Sequence, residues 1–547
     1  MLRVSTQMLY TQSLSYINNK LTTLTELNEQ SSSQKRVNRP SDDAVASATI
    51  LNLRTTLNSY DQYLENAATA KGWLTSSDST LTQVSTLLTR AKGLAEQAAT
   101  GTLGAENRKQ IAYEMREIYE QLIALANTEY QNKSIYGGQV TDENPFTECL
   151  WMTSNEPSLS TDNSFRIEGS SDTTVLVQFL NSNVGTGVAS DMSDCTVRYS
   201  VDGGTTFLKG TVTSNAGNII VSMPESGTSI TFAKNTQVKA NSQTDTNDTS
   251  GTWMWIRPSA VYNGDDADST ATTVSSTGVG TGQISATARG AFSSNTIVRI
   301  DNSTPVSMSG DINYSYSLDN GMTWVTGNTV SADATSNGSV LNIANGGLLT
   351  LASNGSNMLQ PGAQFLITPN TAGVNLQISA SETIRVNDVG KDIFGGIYQD
   401  PKAVAANGGE RLTLSSSNAS AVFSSATSIY TSNGGNSSKN LFETIGNLVA
   451  FLETNNQQGV SQSLEGLKLC QTQITTALAS VGGRENRVAT TTTILGNLSD
   501  SVTSQLSSVE DVDLTKLLIQ LSQQETAYQA VLKSSSTIMQ MSLMNYI

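Results

Sequence analysis

From Leu514 onward, Leu517, Leu521, Gln524, Tyr528, Val531, Ser535, Ile538, Ser542 and Asn545 follow at alternating steps of three and four. Such steps place side chains on one face of an α-helix, and their seven-residue repeat is the seam of a coiled coil. No glycine or proline interrupts 514–547, and its only charged side chains are Lys516, Glu525 and Lys533. A helix of that length would be ~50 Å long at 1.5 Å per residue, and its apolar face calls for partner helices. The other end of the chain offers one. Tyr10, Leu14, Ile17, Leu21, Leu24 and Asn28 keep the same spacing and predict a helix from about Thr6 to about Gln34. The seam does not by itself distinguish a partner within the chain from one on another copy.

The first helix stops in Lys35-Arg36-Val37-Asn38-Arg39-Pro40-Ser41-Asp42-Asp43. Pro40 has no amide hydrogen and pushes Arg39 out of helical angles. Ser41 reads as the next N-cap, with Asp42 and Asp43 in a first turn where the helix dipole favours anions. A polar contact with a neighbouring subunit is the alternative use of these charges. Ile50, Leu53, Leu57, Tyr60, Leu64, Ala67 and Leu74 then predict a helix up to Gly72-Trp73, and Val84 to Ala98 another that ends near Gly101. Ile111, Met115, Ile118, Leu122 and Leu125 give a third, closing at Tyr136-Gly137-Gly138. Periodicity returns at Leu441, Ile445, Leu448 and Leu452, resumes after Asn455-Asn456, breaks in a turn at Val481-Gly482-Gly483-Arg484-Glu485-Asn486-Arg487, and continues through Ile494, Leu498, Val502 and Leu506.

Between the helical ends the texture is Gly, Ser, Thr and Asn with short runs such as Thr174-Val175-Leu176-Val177-Gln178-Phe179, which read as strands. Tyr199-Ser200-Val201-Asp202-Gly203-Gly204-Thr205-Thr206-Phe207 repeats as Tyr316-Ser317-Leu318-Asp319-Asn320-Gly321-Met322-Thr323-Trp324, each a strand, a tight turn and a strand. The expected fold is α+β and multidomain: a long antiparallel coiled-coil stem made by both termini, with β-rich modules inserted. Its expected parts are terminal helices 1–43 and 511–547, stem segments 44–138 and 441–510, and an insert 139–440 with modules at about 145–260 and 275–385.

A net charge of −16 in 547 residues argues against nucleic acid and against an anionic membrane surface. No run of 18 apolar residues is present, so no helix is expected to span a bilayer, and the first twenty residues contain no apolar core of a cleavable signal. The chain has no histidine, which removes Ser-His-Asp and Cys-His catalysis and His-ligated metals. Cys149, Cys195 and Cys470 are too few and scattered for a disulfide framework or a zinc site. No catalytic residue, cofactor or metal is therefore expected. Asp245/Asn247/Asp248 and Asp265/Asp266/Asp268 lack the calcium loop's glycine, and the position twelve along from Asp245 is Ile256, so both read as solvated loops. Trp253, Trp255 and Trp324 read as strand-core packing, with a sugar platform as the alternative.

These residues carry a resemblance to the bacterial flagellin superfamily, and within it to the type 3 hook-associated family. The carriers are Met1-Leu2-Arg3-Val4-Ser5-Thr6-Gln7-Met8, Lys35 to Ala44 with its break motif Arg39-Pro40-Ser41-Asp42-Asp43, Arg484-Glu485-Asn486-Arg487, and Gln524-Glu525-Thr526-Ala527-Tyr528-Gln529-Ala530. Ile384 to Phe394 is similar to the strand that leads back into the stem in this family. Arg3-Val4-Ser5-Thr6, and Ala44-Val45-Ala46-Ser47 after the aspartates, depart from the usual filament-protein pattern and favour the hook-associated type. The resemblance implies a structural subunit that joins flagellar hook to filament, exported by the type III route without a cleaved signal. Its partners would be further copies of itself, a neighbouring hook-associated protein, flagellin and an export chaperone. It also implies assembly contacts along the two seams, at Leu14, Ile17, Leu21, Leu24, Leu514, Leu517, Leu521, Tyr528, Val531 and Ile538. Flagellin itself, or less simply a carbohydrate-binding adhesin, is the alternative.

Overall fold

The computed structural model describes residues 6–544 apart from 162–164, 216, 265–272, 278–283, 290–291, 293–294, 320, 332–337, 344–346, 354–357, 369–371, 400–403, 405–406, 408–410 and 424–437. The aspartates 265, 266 and 268 and residue 320 thus lie outside the described residues. Six long helices are seen: α1 (Thr6–Ser33), α2 (Ala44–Ala98), α3 (Ala105–Ala126), α4 (Leu441–Glu453), α5 (Gln457–Glu510) and α6 (Leu514–Met544). Contacts divide the chain into two compact units: Met1–Lys71 with Leu376–Ile384 and Asn486–Ile547, and Gly72–Asn375 with Arg385–Glu485.

Two expected breaks are absent. α2 runs unbroken through Gly72-Trp73. Its buried positions Ala67, Ala70, Leu74, Ser77, Leu81, Val84, Leu88, Ala91, Ala95 and Ala98 alternate three and four without a slip. Gly72 is there for closeness rather than for a turn: a Cβ on it would lie 2.1 Å from the Tyr130 hydroxyl. α5 likewise runs through Gly482-Gly483. Val460, Leu467, Ile474, Val481, Val488 and Leu495 are buried at every seventh position, which carries the seam across the glycines. The expected continuation at Ile494 and Leu498 falls on the exposed face instead. A third difference is that α3 ends at Ala126, not at Gly137-Gly138, because the Asn127 side chain exchanges hydrogen bonds with the Phe146 backbone at 2.8 and 2.9 Å and turns the chain into the sheet.

The second unit contains the β modules. The first is a ten-stranded sheet built from β1 (Phe146–Ser154), β2 (Phe165–Glu168), β3 (Val175–Leu180), β4 (Thr196–Ser200), β5 (Leu208–Ser214), β6 (Asn218–Met223), β7 (Thr228–Ala233) and β8 (Trp253–Tyr262), with two short strands further along the chain. Its order runs β8-β3-β4-β5-β6-β7-β2, with β1 also paired to β8. It folds round a core of Trp151, Phe165, Val177, Phe179, Val197, Ile219, Val221 and Phe232. The second module packs two sheets over Val298, Ile300, Tyr314, Leu341, Leu349, Leu351 and Phe365. Its β9 (Thr296–Ile300), β10 (Ile312–Ser317) and β11 (Val325–Val330) repeat the antiparallel order β3-β4-β5.

The duplication extends to individual hydrogen bonds. In the first turn Ser200 Oγ donates to Asp202 Oδ1 at 2.7 Å and accepts from the Gly204 amide at 2.8 Å, while Asp202 takes the Thr206 amide and hydroxyl at 2.9 and 2.6 Å. In the second, Ser317, Asp319, Gly321 and Thr323 make the same four bonds at 2.8, 2.7, 2.8 and 2.5 Å. Gly203, Gly204 and Gly321 have positive φ, which explains glycine at those positions.

α4 seals one face of the first module through a buried ion pair. Arg257 on β8 donates from its two terminal nitrogens to the two carboxylate oxygens of Glu443 at 2.9 and 2.6 Å, and both side chains are 1% exposed or less. Thr153, Asn447 and Ser259 complete the network at 2.9, 2.8 and 2.5 Å, so no charge is left bare.

Candidate functional site: the paired terminal helices

In the first unit α1 and α6 pack together. Lys20 Nζ donates to Gln524 Oε1 at 3.5 Å, and Lys35 pairs with Asp511 in an antiparallel bridge, so the two helices run in opposite directions. The inward positions on α6 are Leu517, buried, and Leu521, Tyr528 and Val531, half-buried. On α1 they are Ile17, Leu24 and Leu27. Leu14, Leu21 and Leu514, which share the expected seam, are exposed instead. The side chain of Ile538 lies outside the described residues.

Three further residues stand beside the exposed ones: Leu518 and Ile519 are 56% and 55% exposed, and Leu532 is exposed too. Leu514, Leu518 and Leu532 sit at intervals of four and fourteen, a second row on α6 beside the buried seam. Reading only the seven-residue repeat passes over them. α6 thus has two apolar rows, one used within the chain and one open.

The break motif ties the two termini to each other. α1 ends with Gln34 in the left-handed region at φ 57°, and the Arg36 amide donates to the Glu510 carbonyl at 2.7 Å. Arg36 also donates from Nη2 to the Val509 carbonyl at 2.9 Å and pairs with Asp43 at 3.3 Å. Arg39 pairs with Glu29 at 2.9 Å. Beneath these bonds Val37 packs with Ala46, Ile50, Leu506 and Val509. Glu510, 4% exposed and unread in the sequence, gathers both Lys35 and Arg54. Burial alone would raise its pKa, but those two cations outweigh it and hold the carboxylate below its ordinary value.

Ser41 is not the cap of α2. Asp43 takes that role, its Oδ1 accepting from the Ala46 amide at 2.9 Å, because α2 begins only at Ala44 and Ser41 lies too far back to reach the free amides. Asp42 instead folds back to accept the amides of Asn38 and Arg39 at 3.1 and 2.9 Å, bridging Pro40. Both aspartates are held below the usual carboxylate range, Asp42 by the Arg39 amide first and Asp43 by the Ala46 amide first.

The Arg484–Arg487 motif is helical rather than a turn, and its side chains grip the returning strand. In the second unit Arg484 reaches Asp388 Oδ2 at 2.6 Å and the Arg385 carbonyl at 3.1 Å, while Glu485 accepts from Thr75 at 2.9 Å. In the first unit Arg487 pairs with Glu382 and donates to the Thr383 carbonyl at 3.3 Å.

The other candidates separate. Asp245 and Asp248 accept backbone amides of their own loop, and among the described residues no group of three or more acids or cysteines could hold a metal ion. Cys149, Cys195 and Cys470 are free thiols, the last pushed up to about 12 by burial. Trp253 and Trp255 lie together on β8, ring centroids 5.9 Å apart, whereas Trp324 packs in the other module with Arg299 4.4 Å above its ring. Among the described residues no helix is long and apolar enough to cross a membrane.

Residues 4–141 match the bacterial flagellin N-terminal helical region and residues 464–547 the bacterial flagellin C-terminal helical region. The chain is 36% identical over 151 residues to flagellar hook-associated protein 3 of Salmonella typhimurium, a match that covers 27% of this chain and 47% of that protein. It is 27% identical over 131 residues to flagellin of Listeria monocytogenes, covering 24% of this chain and 46% of that protein. The chain therefore spans about half the length of the curated relatives it matches. A solved structure of flagellar hook associated protein-3 from Legionella pneumophila aligns over 84% of this chain and 98% of that one, at 13% identity and a TM-score of 0.26. The two ends of the chain thus match, in order, the N-terminal and C-terminal helical regions of bacterial flagellin.

Proposed function

We propose that the chain is a structural, non-catalytic subunit of the bacterial flagellum that joins hook to filament and self-assembles through α1 and α6. The observation that carries this is the open row Leu514, Leu518 and Leu532 beside a seam already satisfied within the chain, in the segment matched to the flagellin C-terminal region. An apolar row on a helix with few charges is stabilised when a further helix covers it. The copies it meets are its own, with a hook-associated protein on one side and flagellin on the other, and an export chaperone covers the same row beforehand. Segments 1–43 and 511–547 would be the assembly helices, 44–138 and 441–510 the stem, and the β modules an outgrowth. Similarity to a hook-associated protein at 36% against 27% to a flagellin favours the junction over the filament.

Immunogold labelling of intact and sheared flagella, with antibody against residues 145–400, tests the reading. Gold in a narrow band at the distal end of the hook is the expected result. Gold along the filament would make the chain a flagellin, and an unlabelled flagellum would overturn the proposal.

A further inference from the structure

The second unit contains a cavity of about 690 Å³ lined by the first module's turn, the loop 241–251 and the corner between α4 and α5. That volume lies in the range of small-ligand sites. Trp255 and Leu176 form its buried floor, and Trp253 and Phe207 are half-buried at its side. The aromatic rings are fixed in place. Trp253 Nε1 donates to the Asp248 carbonyl at 2.5 Å, Trp255 Nε1 to Thr454 Oγ1 at 3.2 Å, and the Arg198 guanidinium backs Phe207 at 5.2 Å.

The polar lining divides into groups that are spent and groups that are free. Asn155 is spent, bonding the Trp253 amide at 2.7 Å and the Gly251 carbonyl at 3.0 Å. Lys239 and Glu156 neutralise each other at 2.8 Å. Asn247 and Thr249 are exposed, and among the described residues their side chains make no hydrogen bond. Their loop is nonetheless held: Asp245 accepts the Asn247 amide at 2.9 Å, and Asp248 accepts the Ser242 and Ser250 amides at 3.0 and 2.9 Å. Gln457, on the α5 side, uses its Nε2 on the Ala99 carbonyl at 2.9 Å, and among the described residues its amide oxygen accepts no hydrogen bond.

From this lining we infer that the cavity is a binding site for a neutral oligosaccharide. A pyranose has an apolar C–H face and a rim of hydroxyls. The first matches the rings of Trp253 and Phe207, the second the amide and hydroxyl groups of Asn247, Thr249 and Gln457. A phosphate or carboxylate ligand would need an uncompensated cation, and Lys239, the lining cation, is already paired. A wholly apolar ligand would make no use of the free polar groups of Asn247, Thr249 and Gln457. The inference stands on this cavity, shared by the β module and the α4–α5 corner, and is independent of the hook–filament reading.

The test presents the full-length protein to an array of neutral and sialylated oligosaccharides, followed by titration of the strongest neutral hit under tryptophan fluorescence. Binding to neutral glycans, with Trp253→Ala lowering affinity at least tenfold, is the expected result. The double variant Asn247→Ala, Thr249→Ala keeps the ring platform and changes only exposed side chains. It is expected to lose several-fold in affinity with an unchanged thermal midpoint. An array with no bound glycan, a preference for sialylated glycans, or unchanged affinity in the double variant would overturn the inference.

Discussion

Arg257 shows how a single charge can organise a core. Its guanidinium meets Glu443, 186 residues away in sequence, in a two-pronged pair with almost no exposure. Removing one partner strands the other charge in a low-dielectric interior, so Arg257→Ala is expected to cost about 3–5 kcal/mol, read as a lower urea midpoint for the second unit. Asp319 makes a different point. Three hydrogen bonds, the Thr323 hydroxyl's first and then those of the Thr323 amide and Ser317, hold its carboxylate down to about 2 from an ordinary 3.8. Because the folded value is the lower one, its contribution is complete above 3.8 and is lost as pH falls toward 2. The Thr323 amide resonance should therefore titrate near pH 2, and Asp319→Asn should abolish that titration; a midpoint near 4 would count against the turn as described. Neither role depends on composition. Asp319 was legible because its turn occurs twice, while Arg257 was not, since nothing local announces a partner in a distant helix.

At the scale of elements, helices were read well where apolar spacing was clean and badly where glycine was given too much weight. Gly72 and Gly482-Gly483 both read as stops, yet α2 and α5 pass through them with their buried seven-residue seams intact. The two sites differ physically. A Cβ at Gly72 would meet the Tyr130 ring at 2.1–3.3 Å, whereas one at Gly482 or Gly483 would find nothing within 4 Å. Gly482→Ala and Gly483→Ala are thus expected to stabilise the helix by about 0.5–1 kcal/mol each, and Gly72→Ala to lower stability, all measured by thermal unfolding. The strands and the duplicated turn were visible from β-branched runs and Asp-Gly spacing. The way β8 joins β1 and β3 into one large sheet was not, because register between residues 75 to 116 apart in the chain leaves no local trace.

For the whole molecule, the pairing of the chain's two ends was legible from their shared seam, and the division of labour on α6 was not. One apolar row looks like another until the fold shows which is covered. A charge on the open row separates assembly from folding: Leu518→Asp is expected to leave the unfolding midpoint of the isolated subunit within ~0.5 kcal/mol, as for other exposed sites. The same change should remove the gold band at the hook. A subunit that still incorporates normally would show that the row faces nothing in the assembly. Val531 and Leu521 are poorer probes, since both are half-buried in the pair and a charge there would unsettle the subunit itself.

The contact between Lys20 and Gln524 spans 504 residues. Closing so large a loop is slow and entropically costly compared with forming neighbouring strands. During synthesis α1 waits through almost the entire chain before the helix it pairs with exists, while α3, the β modules and α4 gain their own partners earlier. The interval leaves α1 open as a recognition handle, and closure of the pair marks the arrival of α6.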